Sequence, residues 1–255
     1  MRGLMIQDFC CLRKSRKTFI LVAAGVILMA VLFALSCRFG NLAAARTRIG
    51  LEDPALAELL EQAAELVICF LLLLPIAFLG SLAECFKEDA RAGFRKPLSA
   101  LPLSPWQIVG SRFLTCLLFA AVSMGVSALA ALCVSSVEER YRLGKLLVLI
   151  LTFGACFLIY MSLCMFLIYL LGARRADLIQ ILPLGLIYLG VGCSLLMRLQ
   201  EMPEEEMLQF GRQLGPRLWE MLERGYGLLF CLAAGCMALA YLGSVAVVKQ
   251  RKGVW

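Results

Sequence analysis

The chain reads as an all-α, polytopic membrane protein with six transmembrane helices and cytoplasmic N- and C-termini. Three observations predict this. Of 255 residues, 62% are hydrophobic and 17% charged, and the mean hydropathy is +0.86; soluble domains run at about 45–50% apolar and about 25% charged. Six apolar stretches, 18–37, 66–83, 108–134, 146–171, 178–197 and 226–248, match the roughly 20 helical residues needed to cross a bilayer core. Such spans must be helices, because no water satisfies an open backbone there. The basic residues are also asymmetric. With the N-terminus inside, segments 1–17, 84–112, 172–177 and 249–255 hold 15 Lys/Arg against 5 Asp/Glu, and the outer loops 38–65, 135–145 and 198–225 hold 10 against 13. Basic residues favour the cytoplasmic face, so this orientation is the expected one. The net charge of +7 then faces anionic lipid and implies no nucleic-acid partner.

Taken in order, residues 2–17 form a short amphipathic helix, with Leu4, Met5, Phe9 and Leu12 on one side and Arg13, Lys14, Arg16 and Lys17 near its end. That pattern suits a helix lying on the cytoplasmic surface; the plainer alternative is an unstructured basic tail. The first span, at 20 residues, exceeds the apolar core of about 7–15 typical of a cleaved signal peptide. On the outside, Asp53 is a candidate N-cap and Pro54 a candidate first helical residue. Leu56, Leu59, Leu60 and Leu66 follow, so the second helix is expected to begin outside and run into the membrane. Pro75 removes one of its backbone hydrogen bonds and should kink it.

Residues 84–106 form a cytoplasmic elbow. Phe86, Ala90 and Phe94 lie four apart on one face of a short helix, with Glu88, Asp89, Arg91 and Arg95 on the others. Pro97 stops that helix, and Pro102 and Pro105 steer the chain into the third span. Taken alone, a basic, proline-rich loop of this kind is an ordinary positive-inside anchor.

The outer loop 198–225 has Pro203 followed by Glu204, Glu205 and Glu206, a helix start with acid at the positive dipole end. Met207, Phe210, Leu214, Leu218 and Met221 recur at helical spacing. Gly215-Pro216 is expected to split this stretch into two short helices, with Gly225 ending the second, as a cap over the outer mouth. On the sixth span, Cys236, Ala240 and Ser244 lie four apart and suit helix packing or association. Nothing reads as a separate soluble domain, so 1–255 is a single transmembrane domain.

Several chemistries are absent. The chain contains no histidine, which removes His-dependent metalloproteases, Ser–His intramembrane proteases and His-based phosphatases. No GxxxxGK[ST] loop is present. Asp89-Ala90-Arg91 lacks the further spaced aspartates of lipid-headgroup transferases. Twelve cysteines show no CxxC spacing, so no metal site is read from them; most lie in spans, as small hydrophobes. The span centres carry no Asp, Glu, Lys or Arg, although such groups usually mark an ion or proton pathway. The energy source is therefore expected in another protein.

The stretch EDARAGFRKPLSALPLSPWQIVGSRFL, residues 88–114, resembles the signature of type-2 ABC transporter permeases. The matches are Glu88 or Asp89 for an acidic residue, Gly93-Phe94 for a Gly-aromatic pair, Leu98 and Leu101 for a leucine-rich turn, and Pro102-Leu103-Ser104 for the step into the third span. Ile108-Val109 and Arg112 continue it, and the opening LMIQDFCCLRKSRK also resembles the start of that family. Pro97 is a departure, and it puts the length of the cytoplasmic helix in doubt. The resemblance implies a coupling helix seated in a groove of a separate ABC ATP-binding subunit, with Glu88, Asp89, Arg91, Gly93, Phe94, Arg95, Leu98, Leu101 and Pro102 as the coupling residues. It implies two permease subunits per pore, identical or not, and helices on the outside between the fifth and sixth spans. ATP would be bound by the partner, leaving this chain without a cofactor, metal or catalytic residue of its own. A leucine-, phenylalanine-, methionine- and cysteine-rich lining suggests export of a lipophilic or amphipathic cargo from a bacterial plasma membrane. The rivals are a non-transporting membrane scaffold and a lipid-modifying membrane enzyme; the second needs clustered polar residues at one depth, which the sequence does not offer.

Overall fold

The computed structural model describes residues 13–40, 54–77, 104–137, 142–172, 175–176, 178–181, 185 and 204–251. The described secondary structure is helical. The long elements are α1 (Arg13–Arg38), α2 (Pro54–Ala77), α3 (Pro105–Ser135), α4 (Leu143–Leu171) and α5 (Glu204–Arg251). Four stretches among the described residues are long and apolar enough to cross a membrane: Lys17–Arg38, Pro105–Ser135, Leu143–Leu171 and Glu220–Gln250. At about 1.5 Å per residue the shortest of these reaches about 33 Å, against a hydrocarbon core of about 30 Å. The expected second span enters as the apolar end of α2, Val67–Ala77, and its remainder to residue 83 lies outside the described residues. Of the expected fifth span, 178–181 and 185 are helical, and the rest lies outside them too.

The helix ends follow local chemistry. Helix α2 starts at Pro54, whose missing N–H costs nothing in a first turn, and it runs without interruption from the acidic stretch into the apolar one. Pro75 sits inside α2. Helices α1 and α4 run into glycines with positive φ, Gly40 at 73° and Gly172 at 96°, a conformation that a Cβ would oppose. At Gly172 the amide donates to the Ile168 carbonyl at 2.9 Å, satisfying one of the last open acceptors of α4.

One correction concerns 204–225. The expected break at Gly215-Pro216 and the stop at Gly225 do not occur: α5 is one helix of 48 residues, and the supposed outer cap is its first part. Proline normally drives the preceding residue out of the α region because its ring meets that residue's Cβ. Residue 215 is a glycine and has no Cβ, so that part of the clash is absent, while the lost backbone hydrogen bond and the crowding of the ring against the carbonyl four residues back remain as costs of Pro216. Nor does a lone glycine end a helix whose apolar face continues beyond it; Gly225 and Gly227 are crossed.

The described residues group into two compact units. Of these, 13–40, 54–77, 116–137 and 142–157 fall in one, and 104–115, 158–172, 175–176, 178–181, 185 and 204–251 in the other. In the first, α1 packs on α2, and each presents a stripe of buried residues: Phe19, Val26 and Ala30 on α1, Ile68, Leu72 and Ile76 on α2. Phe19 meets Phe119 of α3 with ring centroids 5.0 Å apart. Gly154 of α4 lets Met124 of α3 approach so closely that an added Cβ would lie 2.7 Å from its sulfur. In the second unit the equivalent notch is Gly243 of α5, where a Cβ would lie 2.7 Å from the Phe166 ring of α4.

Buried hydroxyls are mostly satisfied within their own helix. Thr115 donates to the Ser111 carbonyl, Ser123 to Phe119, Ser162 to Leu158 and Ser244 to Ala240, at 2.6–2.9 Å. In an apolar surrounding this removes the penalty of an unpaired polar group. Ser127 of α3 and Thr152 of α4 are exceptions, both buried without a hydrogen-bond partner.

Candidate functional site

The resemblance to type-2 ABC permeases implies that 84–106 meets a partner. The nine expected coupling residues, Glu88, Asp89, Arg91, Gly93, Phe94, Arg95, Leu98, Leu101 and Pro102, all lie outside the described residues. What the structure does place is the point where that segment enters α3, and it is built from more than the prolines.

Ser104 and Gln107 form a reciprocal N-terminal cap. The Ser104 amide donates to Gln107 Oε1 at 3.1 Å, and the Gln107 amide donates to Ser104 Oγ at 3.3 Å. The Gln107 amide also reaches the Ser104 carbonyl at 3.0 Å, so the cap satisfies the Ser104 amide and adds a second acceptor for that of Gln107. Pro105 occupies the first helical position, where its fixed φ fits and no N–H is needed. The S-P-W-Q pattern of 104–107 is a sequence signature of this cap. Reading only the prolines there put the start of the span at 108, three residues late.

The first turns of α3 are joined to α5 by aromatic residues. Tyr241 stands between Trp106 and Phe113, with ring centroids 5.6 Å and 5.5 Å away, tilted to the first and edge-on to the second. Its hydroxyl donates to the Trp106 carbonyl at 3.3 Å. Trp106 and Phe113 are seven residues apart, two helical turns, so they share a face of α3. Tyr241 belongs to a short stretch of α5 that is seated in its own unit. Gly243 meets Phe166, and Ser244 and Val245 are buried; Ala233 is the other buried residue among the described side chains of α5.

A second tie holds the chain after α4. Tyr160 donates to the Gln180 carbonyl at 2.8 Å, and the Cys164 thiol approaches the Ile179 carbonyl at 3.8 Å. The start of the 178–181 helix is thus fastened back onto α4. Arg112, half-buried in the second turn of α3, follows the same capped entry. Among the described residues no group of three or more His, Cys, Asp or Glu side chains is placed to hold a metal ion.

The model of the ABC-2 family transporter protein matches residues 56–247, three quarters of the chain. The chain belongs to the ABC-2 transporter family. Neither a curated protein nor a solved structure gives a match. As an ABC-2 protein the chain is a type-2 ABC permease, the multi-pass membrane subunit of an ABC transporter. The matched region runs from the first turn of α2 almost to the end of α5, so it contains the 84–106 segment, the cap at Ser104 and the Trp106–Tyr241 contact. Helix α1 precedes it. An ABC-2 permease belongs to a system with an ATP-binding partner. The sequence motif at 88–114 therefore fits the family found independently over 56–247.

Proposed function

We propose that this ABC-2 permease is the membrane subunit of an ATP-driven exporter. In this reading a separate ATP-binding subunit seats against 84–96, with Phe94 as its apolar anchor and Glu88, Asp89, Arg91 and Arg95 around it. Closure of two such subunits on ATP pushes the segment and moves the spans between inward- and outward-open arrangements. Two permease subunits, identical or not, line the pathway. The chain itself carries out no bond chemistry; ATP is held and hydrolysed by the partner. The family match across 56–247, which encloses the coupling segment, is the observation that carries the reading.

The distribution of charge supports it. The central turns of the four described spans contain no Asp, Glu, Lys or Arg, the residues that usually mark an ion or proton pathway inside a membrane. The apolar and cysteine-rich spans favour a lipophilic or amphipathic cargo, and the plasma membrane of a bacterium as its location. Efflux assays that find only small hydrophilic substrates would remove the cargo assignment.

The test is affinity purification from native membranes in mild detergent. The expected result is an ATP-binding subunit recovered in equal amount. A clean preparation without one, under conditions that keep known transporters intact, would instead favour a membrane scaffold or a lipid-modifying enzyme.

A further inference from the structure

We propose that residues 241–245 of α5 act as a pivot, and that Tyr241 passes movement of the first turn of α3 to α5. This rests on the reading that the segment before α3 engages the ATP-binding subunit. Three observations point to it. The α5 span is exposed over most of its length, with Leu228, Leu232, Leu239 and Leu242 all at least 49% accessible. Among the described residues its side-chain contacts in its own unit gather around one level, where Tyr241 touches Trp106 and Phe113, Gly243 admits Phe166, and Ser244 and Val245 are buried; Ala233, about two turns earlier, is the other buried residue of the helix. The element gripped there is the first turn of α3, stiffened by the Ser104–Gln107 cap and joined directly to the coupling segment.

Each contact has a physical role. A capped helix end is rigid, so displacement of 84–103 moves the whole first turn of α3 rather than fraying it. The Tyr241 hydroxyl is bonded to backbone, the Trp106 carbonyl, so the link follows the helix and not a side-chain rotamer. The Gly243 notch lets α5 tilt against a flat ring instead of interlocking with a branched side chain. A simpler role for Trp106 and Tyr241 is anchoring at the membrane interface, where both residue types are enriched. The two roles differ in outcome: an anchor holds depth, whereas a transmitting contact makes α5 respond to what α3 does.

The experiment uses the permease with its co-purified ATP-binding subunit. Trp106 is left as the sole tryptophan by Trp219→Phe and Trp255→Phe, and an environment-sensitive probe is attached at Gln209→Cys on α5 after the native cysteines are replaced. Mg-ATP or a slowly hydrolysed analogue is then added. Trp106 emission and the 209 probe are both expected to change. Tyr241→Leu should leave recovery of the ATP-binding subunit and the Trp106 response in place while cutting the probe response about fivefold, as loss of a hydrogen bond and a ring stack allows. Tyr241→Phe keeps the rings and removes only the hydroxyl, and should give a smaller cut, about twofold; it stands in if the leucine variant misfolds. An undiminished probe response in both variants overturns the pivot and leaves the interface-anchor role. Failure of the permease reading looks different: no ATP-binding subunit is recovered and Trp106 is silent to nucleotide in the unaltered protein, and the pivot falls with it.

Discussion

The entry into α3 depends on two side chains more than on the prolines around them. Ser104 and Gln107 bond to each other's backbone amides, and a serine cap is worth about 1 kcal/mol. Ser104→Ala should lower the thermal midpoint of the detergent-solubilised protein by the equivalent of about 1 kcal/mol, and Ser104→Asp should restore it. An unchanged midpoint in the alanine variant would show that the cap does not hold the turn. Thr152 presents the opposite case. Its hydroxyl is buried with no partner, so Thr152→Val keeps the shape and removes an unpaired polar atom. Stability should rise by about 1–2 kcal/mol; a fall would mean that the hydroxyl is bonded in the membrane. The cap was legible, since S-P-W-Q carries its own signature. Tyr241 was visible only as an uncharged polar residue in a span, because its partner Trp106 lies 135 positions away and no local pattern joins them.

Among the elements, those with one dominant signal were placed closely. Helices α3 and α4 start at Pro105 and Leu143 and end at Ser135 and Leu171, within three residues of their expected bounds, since long apolar runs leave little choice in lipid. Helix α5 was misread where two signals competed. The Gly-Pro pair spoke for a break, and the stripe of Met207, Phe210, Leu214, Leu218 and Met221 for continuity; the helix continues, with the glycine easing one of the proline's clashes. Spin labels at Gln209→Cys and Gln250→Cys should therefore lie about 62 Å apart, at 1.5 Å per residue. A hinge at 215–216 would bring them well inside that distance.

For the whole molecule, the class of protein was readable from hydropathy and charge, and the family from one short stretch between two spans. The partner and cargo were not, because both are recognised by surfaces that a single chain does not complete. Two predictions belong at this scale. Phe94→Asp should weaken recovery of the ATP-binding subunit at least tenfold while membrane insertion stays intact, as expected when a charge replaces a buried aromatic anchor; normal recovery would remove the coupling assignment. Orientation is tested by a membrane-impermeant maleimide on intact cells. A variant keeping only Cys37 should be labelled from outside, and one keeping only Cys10 should be labelled only after permeabilisation; the reverse pattern would invert the topology. The 48 residues of α5 carry a final implication. Measured along its axis, α5 extends about 55 Å from residue 204 to Tyr241, and about 9 Å from Val245 to its last residue, Arg251. With the proposed pivot at 241–245 the two arms differ about sixfold in length, so a tilt of α5 about that point displaces residue 204 about six times as far as Arg251. Small strokes at one face of the membrane would thus be returned, enlarged, at the other.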